Sequence, residues 1–154
     1  MARAVADTSP LIALNQIGQL DLLGNLFEGV LMPPAVAAEA VSVVERPPWL
    51  VERALSQALP ADLAQAGLGP GESGAIALAL ELRADRVLLD ELPGRALAKH
   101  LELPVIGTLG LLLLAKKRGL IETIREPIEA LRFGGFRATD DLYDEVLRRA
   151  GEKD

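Results

Sequence analysis

Cysteine is absent from the 154 residues, which excludes disulfides, thiolate metal sites and cysteine nucleophiles and leads us to expect a reducing, cytoplasmic setting. Aromatic residues make up only 3%, so the core must be built from Leu, Ala, Val and Ile. The only histidine, His100, falls late in a predicted helix beside Lys99 and reads as a capping or surface residue. No run of apolar residues suits a membrane span: the longest, residues 105–115, contains Thr108 and two glycines and is about half the length required. Asp7 interrupts the N-terminus before a signal-peptide core can form, so no export segment is expected. Positive charge is also scarce, with 16 Lys and Arg against 22 Asp and Glu and a net charge of −6. That balance argues against a broad basic surface for nucleic acid. It leaves open a site that meets phosphate through a metal ion.

What is present is a chain that is 50% hydrophobic and long enough for one domain, 1–154, with a sizeable core. Ala and Leu favour helices, and short Val/Ile runs favour strands. Strands are predicted at residues 3–6, 29–32, 86–89 and 104–106. Helices are predicted from Ser9-Pro10 onward and at 21–27, 35–44, 49–59, 72–83, 94–101, 108–118, 122–132 and 139–150. Thr139 is expected to cap the last of these, with Asp140 and Asp141 in its favourable first turn. Trp49 and Tyr143 are read as packing anchors for helices. Strands that alternate with helices imply an α/β fold, a short parallel sheet with helices on both faces. The apolar helices outnumber what one small sheet can cover, so a homodimer is expected; light scattering tests it.

In open α/β sheets, ligands bind beyond the carboxyl ends of the strands. Asp7, Asp90 and Thr108 each lie at or just past such an end. Glu39 and Glu72 are placed near the beginnings of helices whose turns reach the same edge. Four carboxylates brought together repel unless a cation joins them. Oxygen ligands without His or Cys suit Mg²⁺ or Mn²⁺ rather than Zn²⁺. Each residue also has a purely structural reading. Asp7 can form a turn, Glu72 can favour the positive end of its helix, Glu39 can be a solvated helix residue, and Glu91 can be exposed. Thr8, Ser9 and Thr108 can be caps, or can bind a metal-bound water or a phosphate. Arg95, Lys99 and the Lys116-Lys117-Arg118 helix end can contact a nucleic-acid backbone or simply lie on solvated faces. The spacing Gly69-Pro70-Gly71-Glu72-Ser73-Gly74 mimics a dinucleotide fingerprint but lacks the preceding strand that motif requires. An aspartyl-phosphatase motif fails because Ser stands at position 9.

Asp7-Thr8-Ser9-Pro10-Leu11, the Gly71–Ala79 segment GESGAIALA, Leu88-Leu89-Asp90-Glu91, and Pro104-Val105-Ile106-Gly107-Thr108-Leu109-Gly110 together resemble PIN-domain motifs. They are most similar to a poorly characterised prokaryotic branch with DTSPLI, GEAEAIALA and GTLG signatures. The similarity spans nearly the whole chain, including Gly135-Phe136-Arg137 and Asp141-Leu142-Tyr143. The resemblance implies a three-layer, Rossmann-like fold and a metal-dependent ribonuclease. Asp7, Glu39, Glu72 and Asp90 would form its acidic pocket, with Thr8 and Thr108 nearby and one or two Mg²⁺ or Mn²⁺ ions. It further implies water attack on an RNA substrate that leaves a 5′-phosphate. Many such proteins are toxins of VapBC-type toxin–antitoxin pairs, so an antitoxin protein is an implied partner. Two departures stand out: Gly74 replaces the second Glu of GEAEAI, and Leu92-Pro93 replaces basic residues usual after the Asp90 strand. They favour, as the alternative, a PIN-fold nucleic-acid-binding or regulatory protein without strong nuclease activity.

Overall fold

The short Ala/Val segment RAVA forms a strand buried on both faces, and the rest of the sheet is built outward from it. In the computed structural model, which describes residues 2–154, this is β1 (Arg3–Ala6). It is followed by α1 (Thr8–Gln16), α2 (Asp21–Leu26), β2 (Gly29–Met32), α3 (Pro34–Ala40) and β3 (Leu50–Glu52). Then come α4 (Ala61–Ala64), α5 (Pro70–Leu82), β4 (Arg86–Leu88), α6 (Leu92–His100) and β5 (Val105–Ile106). The chain finishes with α7 (Thr108–Lys117), α8 (Arg125–Phe133) and α9 (Asp140–Arg149). The five strands lie in the order β3-β2-β1-β4-β5, and each neighbouring pair is parallel. The expected α/β architecture is therefore the one found.

Side chains alternate across the sheet as the pleat dictates. Ala4 and Ala6 of β1 and Leu88 of β4 join one core cluster with α1, α2, α3, α7, α8 and α9. Val5, Val87 and Leu89 face the other way, into a second cluster with α5, Leu63 of α4 and Ala98 of α6. Helix α5 is buried from Ser73 through Ala79, as its all-round apolar sequence requires. Tyr143 is 2% exposed, and its hydroxyl donates to the Phe136 carbonyl, which ties α9 to the loop before it. Thr139 caps α9 by accepting from the Leu142 N–H at 3.1 Å.

Two expectations are corrected. The helix expected over residues 49–59 is absent; Leu50–Glu52 is instead the edge strand β3, in register with Val30, Leu31 and Met32 of β2. The spacing of Leu50, Ala54 and Leu55 mimicked a helical face, but pairing to an open sheet edge outweighs that weak local preference. The loop that follows is held in place by the Glu81 carboxylate, which accepts from the Ser56 and Gln57 N–H groups at 3.1 Å. Helix α3 also ends at Ala40 rather than at residue 44. Glu39 thus lies at the end of its helix, not near its beginning.

The connections leave β1 in one direction for β2 and β3 and in the other for β4 and β5. The chain order reverses between β1 and β4. A crevice opens at such a switch point, beyond the strands' carboxyl ends.

Candidate active site

Asp7 follows β1 directly, and its N–H donates to the Leu88 carbonyl at 3.1 Å, which holds it beside the end of β4. Its side chain is therefore carried into the crevice by the sheet itself. The residue is 3% exposed. Its carboxyl is pushed up to about 7, first by burial and, against the lowering effect of the Thr8 N–H, by the charges of Glu72, Glu39 and Asp90. Glu39 of α3, Glu72 of α5 and Asp90, just past β4, therefore all act by charge on Asp7 across the switch point.

Two of the carboxylates are oriented by threonines. Asp90 accepts from the Thr108 N–H at 2.8 Å through one oxygen and from the Thr108 hydroxyl at 2.6 Å through the other. The first turn of α7 thereby fixes the plane of the Asp90 carboxylate. Burial still pushes Asp90 above the usual carboxylate range, outweighing the two Thr108 bonds and the nearby Arg95 guanidinium. Thr8 donates its hydroxyl to Glu39 Oε2 at 2.6 Å, reaching from the start of α1 to the end of α3. Glu72 is held above its usual range by partial burial and then by the charges of Glu91 and Glu39. Its Oε2 atom is buried and has no hydrogen-bond partner. A buried, unpartnered carboxylate oxygen is costly unless something binds it.

Three glycines make room for these groups. A Cβ at Gly71 would stand 2.7 Å from Glu39 Oε2, and one at Gly94 would overlap Glu72 Oε2. One at Gly107 would meet Arg95 Nη1 at 2.6 Å and Asp90 Oδ1 at 3.0 Å. Glycine allows a close approach of the backbone to a neighbouring group, and here each one faces a different carboxylate. Gly74 has another environment: a Cβ there would press on the Pro33 ring at 3.2 Å. Position 74 thus faces the packed contact with the start of α3, whereas position 72 faces the acidic crevice.

The remaining candidates separate clearly. Ser9 is half-buried in the first turn of α1. Arg95 stays beside the crevice, with Nη1 donating to the Leu89 carbonyl at 2.9 Å. Lys99 is exposed one turn further along α6. Lys116 stands apart, about 12 Å along α7 from Thr108 by helical rise. Its ammonium donates to the Ala150 carbonyl at 2.6 Å and to Glu152 at 2.9 Å. Sequence reading did not find the three supporting glycines, nor did it bring Glu91 within charge range of Glu72 and Asp90. Among the described residues, no three carboxylates share one coordination sphere as the side chains stand. The all-oxygen donor set and the unpartnered Glu72 oxygen nevertheless suit a hard divalent cation.

Residues 3–152 match the model of the family DUF3368, described as a PIN domain. The chain belongs to the PIN-domain family, whose members are typically nucleases that bind nucleic acid and generally use divalent metal ions. Among solved structures it is similar to a PilT N-terminus domain protein from the hyperthermophilic archaeon Sulfolobus solfataricus, with a TM-score of 0.53 and 22% identity. The match covers 71% of this chain and 89% of that one, a likeness of fold. No curated protein matches the chain. Among the described residues, no helix is long and apolar enough to cross a membrane.

Proposed function

We propose that this protein is a Mg²⁺- or Mn²⁺-dependent RNA endonuclease, acting as the toxin of a toxin–antitoxin pair. What supports the reading is the buried Asp7 carboxyl at the β1/β4 switch point, pushed up to about 7 first by burial and then by the charges of Glu72, Glu39 and Asp90. These four residues would hold the cation. A divalent ion bound there supplies an activated water and neutralises charge on a phosphodiester. Asp90 is preset for ligation by Thr108, and Glu39 is held near the crevice by Thr8. Glu39 is exposed and Glu72 half-buried, so these two long side chains are the ones with freedom to swing inward. Asp7 must give up its proton to ligate, so cation affinity should rise as the pH passes through about 7.

A second reading, a PIN fold that binds nucleic acid without cutting it, is favoured by the open spacing of the carboxylates. The two are separated by incubating a panel of structured and single-stranded RNAs with wild type and with Asp7→Asn, in Mg²⁺, Mn²⁺ or EDTA. Metal-dependent cuts that disappear in Asp7→Asn support the nuclease. Cuts that survive in Asp7→Asn, or that need no metal, would sink it.

A further inference from the structure

A trough of about 850 Å³ opens beside Asp90 and Gly107 and runs away from the carboxylates, between α6 and α7 on one side and the 136–139 loop and α9 on the other. Its lining includes the apolar side chains of Ile106, Leu109, Leu113 and Val146, with the exposed Leu142 and Leu92 at its margins. Arg95, Lys99, Arg137 and Arg149 also line it, and Asp90, at the site end, is the only acidic residue among its lining groups. Arg95, Lys99 and Arg137 form no ion pair among the described residues, and Arg149 has only its helical neighbour Glu145 at 3.0 Å. In a chain of net charge −6, four cations around one apolar trough form a local reversal of sign.

We infer that this trough is the track for a single-stranded nucleic-acid segment, and that Arg137 and Arg149 position it toward the carboxylates. The charge complementarity selects a polyanion. The recessed apolar floor selects unpaired bases, because a duplex keeps its base faces stacked inside and offers only phosphates and groove edges. The cations hold the backbone while Ile106, Leu113 and Leu142 contact base faces. The inference rests on the nuclease reading for its direction, since the strand's scissile phosphate must arrive at Asp90. It explains why the far end of the chain contributes a wall to a site whose acids all precede residue 91.

The test is fluorescence anisotropy with a labelled single-stranded RNA and a duplex of the same sequence, in EDTA, across a range of salt concentrations. Wild type should prefer the single strand. The double variant Arg137→Gln/Arg149→Gln should lose roughly tenfold in affinity, and its salt slope should be shallower by about 1.4, at about 0.7 per phosphate contact. Arg46→Gln/Arg148→Gln removes the same formal charge from exposed positions outside the trough and should keep the wild-type slope. Leu142→Ser should weaken binding several-fold without changing the slope. Circular dichroism and melting curves establish that each variant is folded. Equal affinity for single strand and duplex, or identical behaviour of the two double variants, would overturn the inference and leave the apolar floor to a protein partner. Cleavage lost in Asp7→Asn beside unchanged binding in Arg137→Gln/Arg149→Gln would keep the nuclease and remove the track. Trough-dependent binding without any cleavage would keep the track and remove the nuclease.

Discussion

Asp7→Asn is expected to make the protein more stable at pH 8 while removing its capacity to be stabilised by Mg²⁺. The carboxyl of Asp7 titrates at about 7 in the folded chain against an ordinary value of 3.8, and burial is the largest cause. Between those values the native state holds a proton that the unfolded state has released. Stability therefore falls as pH rises from the unfolded value and levels off above the folded one. Each unit is worth 1.36 kcal/mol, so the full penalty at pH 8 is on the order of 4 kcal/mol, with about 3 kcal/mol of it appearing between pH 5 and pH 8. Asparagine keeps the shape and can still accept the Thr8 N–H, but it carries no charge to desolvate. Glu72 and Asp90 are also raised and give both proteins a slope of the same sign, so the difference between the two curves reports Asp7 together with its charge coupling to these neighbours. Urea unfolding at pH 5, 6.5 and 8 in EDTA measures it. Wild type should lose stability relative to the variant as pH rises. Saturating Mg²⁺ at pH 8 should then restore about 3 kcal/mol to wild type at a hundredfold excess over Kd, and nothing to the variant. Parallel pH profiles, or a variant less stable than wild type at pH 8, would show that burial of the Asp7 carboxylate carries no such penalty.

Further outcomes are expected at the groups around Asp7 and at the α7–α9 corner. Gly94→Ala should keep the fold, since alanine favours helix by about 1 kcal/mol, yet weaken Mn²⁺ binding in a titration because its methyl displaces Glu72 Oε2. Thr108→Val deprives Asp90 of a 2.6 Å donor and should cost about 1–3 kcal/mol in urea unfolding, with Thr108→Ser restoring most of it. Glu152→Ala removes the acceptor shared by Lys116, Ile124 and Arg125 and should destabilise the α7–α9 corner by about 1–3 kcal/mol. The Glu152 carboxyl is held below its usual range, where burial is outweighed by the Ile124 N–H, Lys116 and Arg125 together. Its stabilising effect is therefore present above the ordinary carboxylate value and is lost as pH falls below that value, through the lowered folded one.

The strands flanking the crevice were legible because β1 and β4 are each an Arg followed by a short apolar run with an acid one or two residues past the strand's end, a local pattern that survives burial on both faces. Thr139 and its acidic first turn were legible because capping acts within one helix, and Tyr143 because a lone large aromatic in a mostly charged helix marks the face α9 buries. Strand β3 was not legible, because only its pairing to β2 distinguishes Leu50–Glu52 from a helical face, and that partner is twenty residues earlier in the register Val30↔Leu50. Asp7 and Asp90 were placed by the strands they follow, but how Glu39 and Glu72 stand toward them was not legible. Glu39 ends its helix and reaches the crevice through Thr8, a contact 31 residues apart in the chain. The roles of Gly71, Gly94 and Gly107 depend on which side chain stands opposite, which no local pattern encodes. The same holds for the trough, whose walls join α6 to the 136–139 loop and α9.

The proposed function requires Asp7, Glu39, Glu72 and Asp90 to form one divalent-cation site. Mn²⁺ titration at pH 7.5, followed by electron paramagnetic resonance, tests it in wild type and in Glu72→Gln, which neutralises the one buried carboxylate oxygen left without a partner. Saturable binding in wild type that is strongly weakened in the folded variant is the predicted result. Equal binding by the two proteins, or none by wild type, would contradict it.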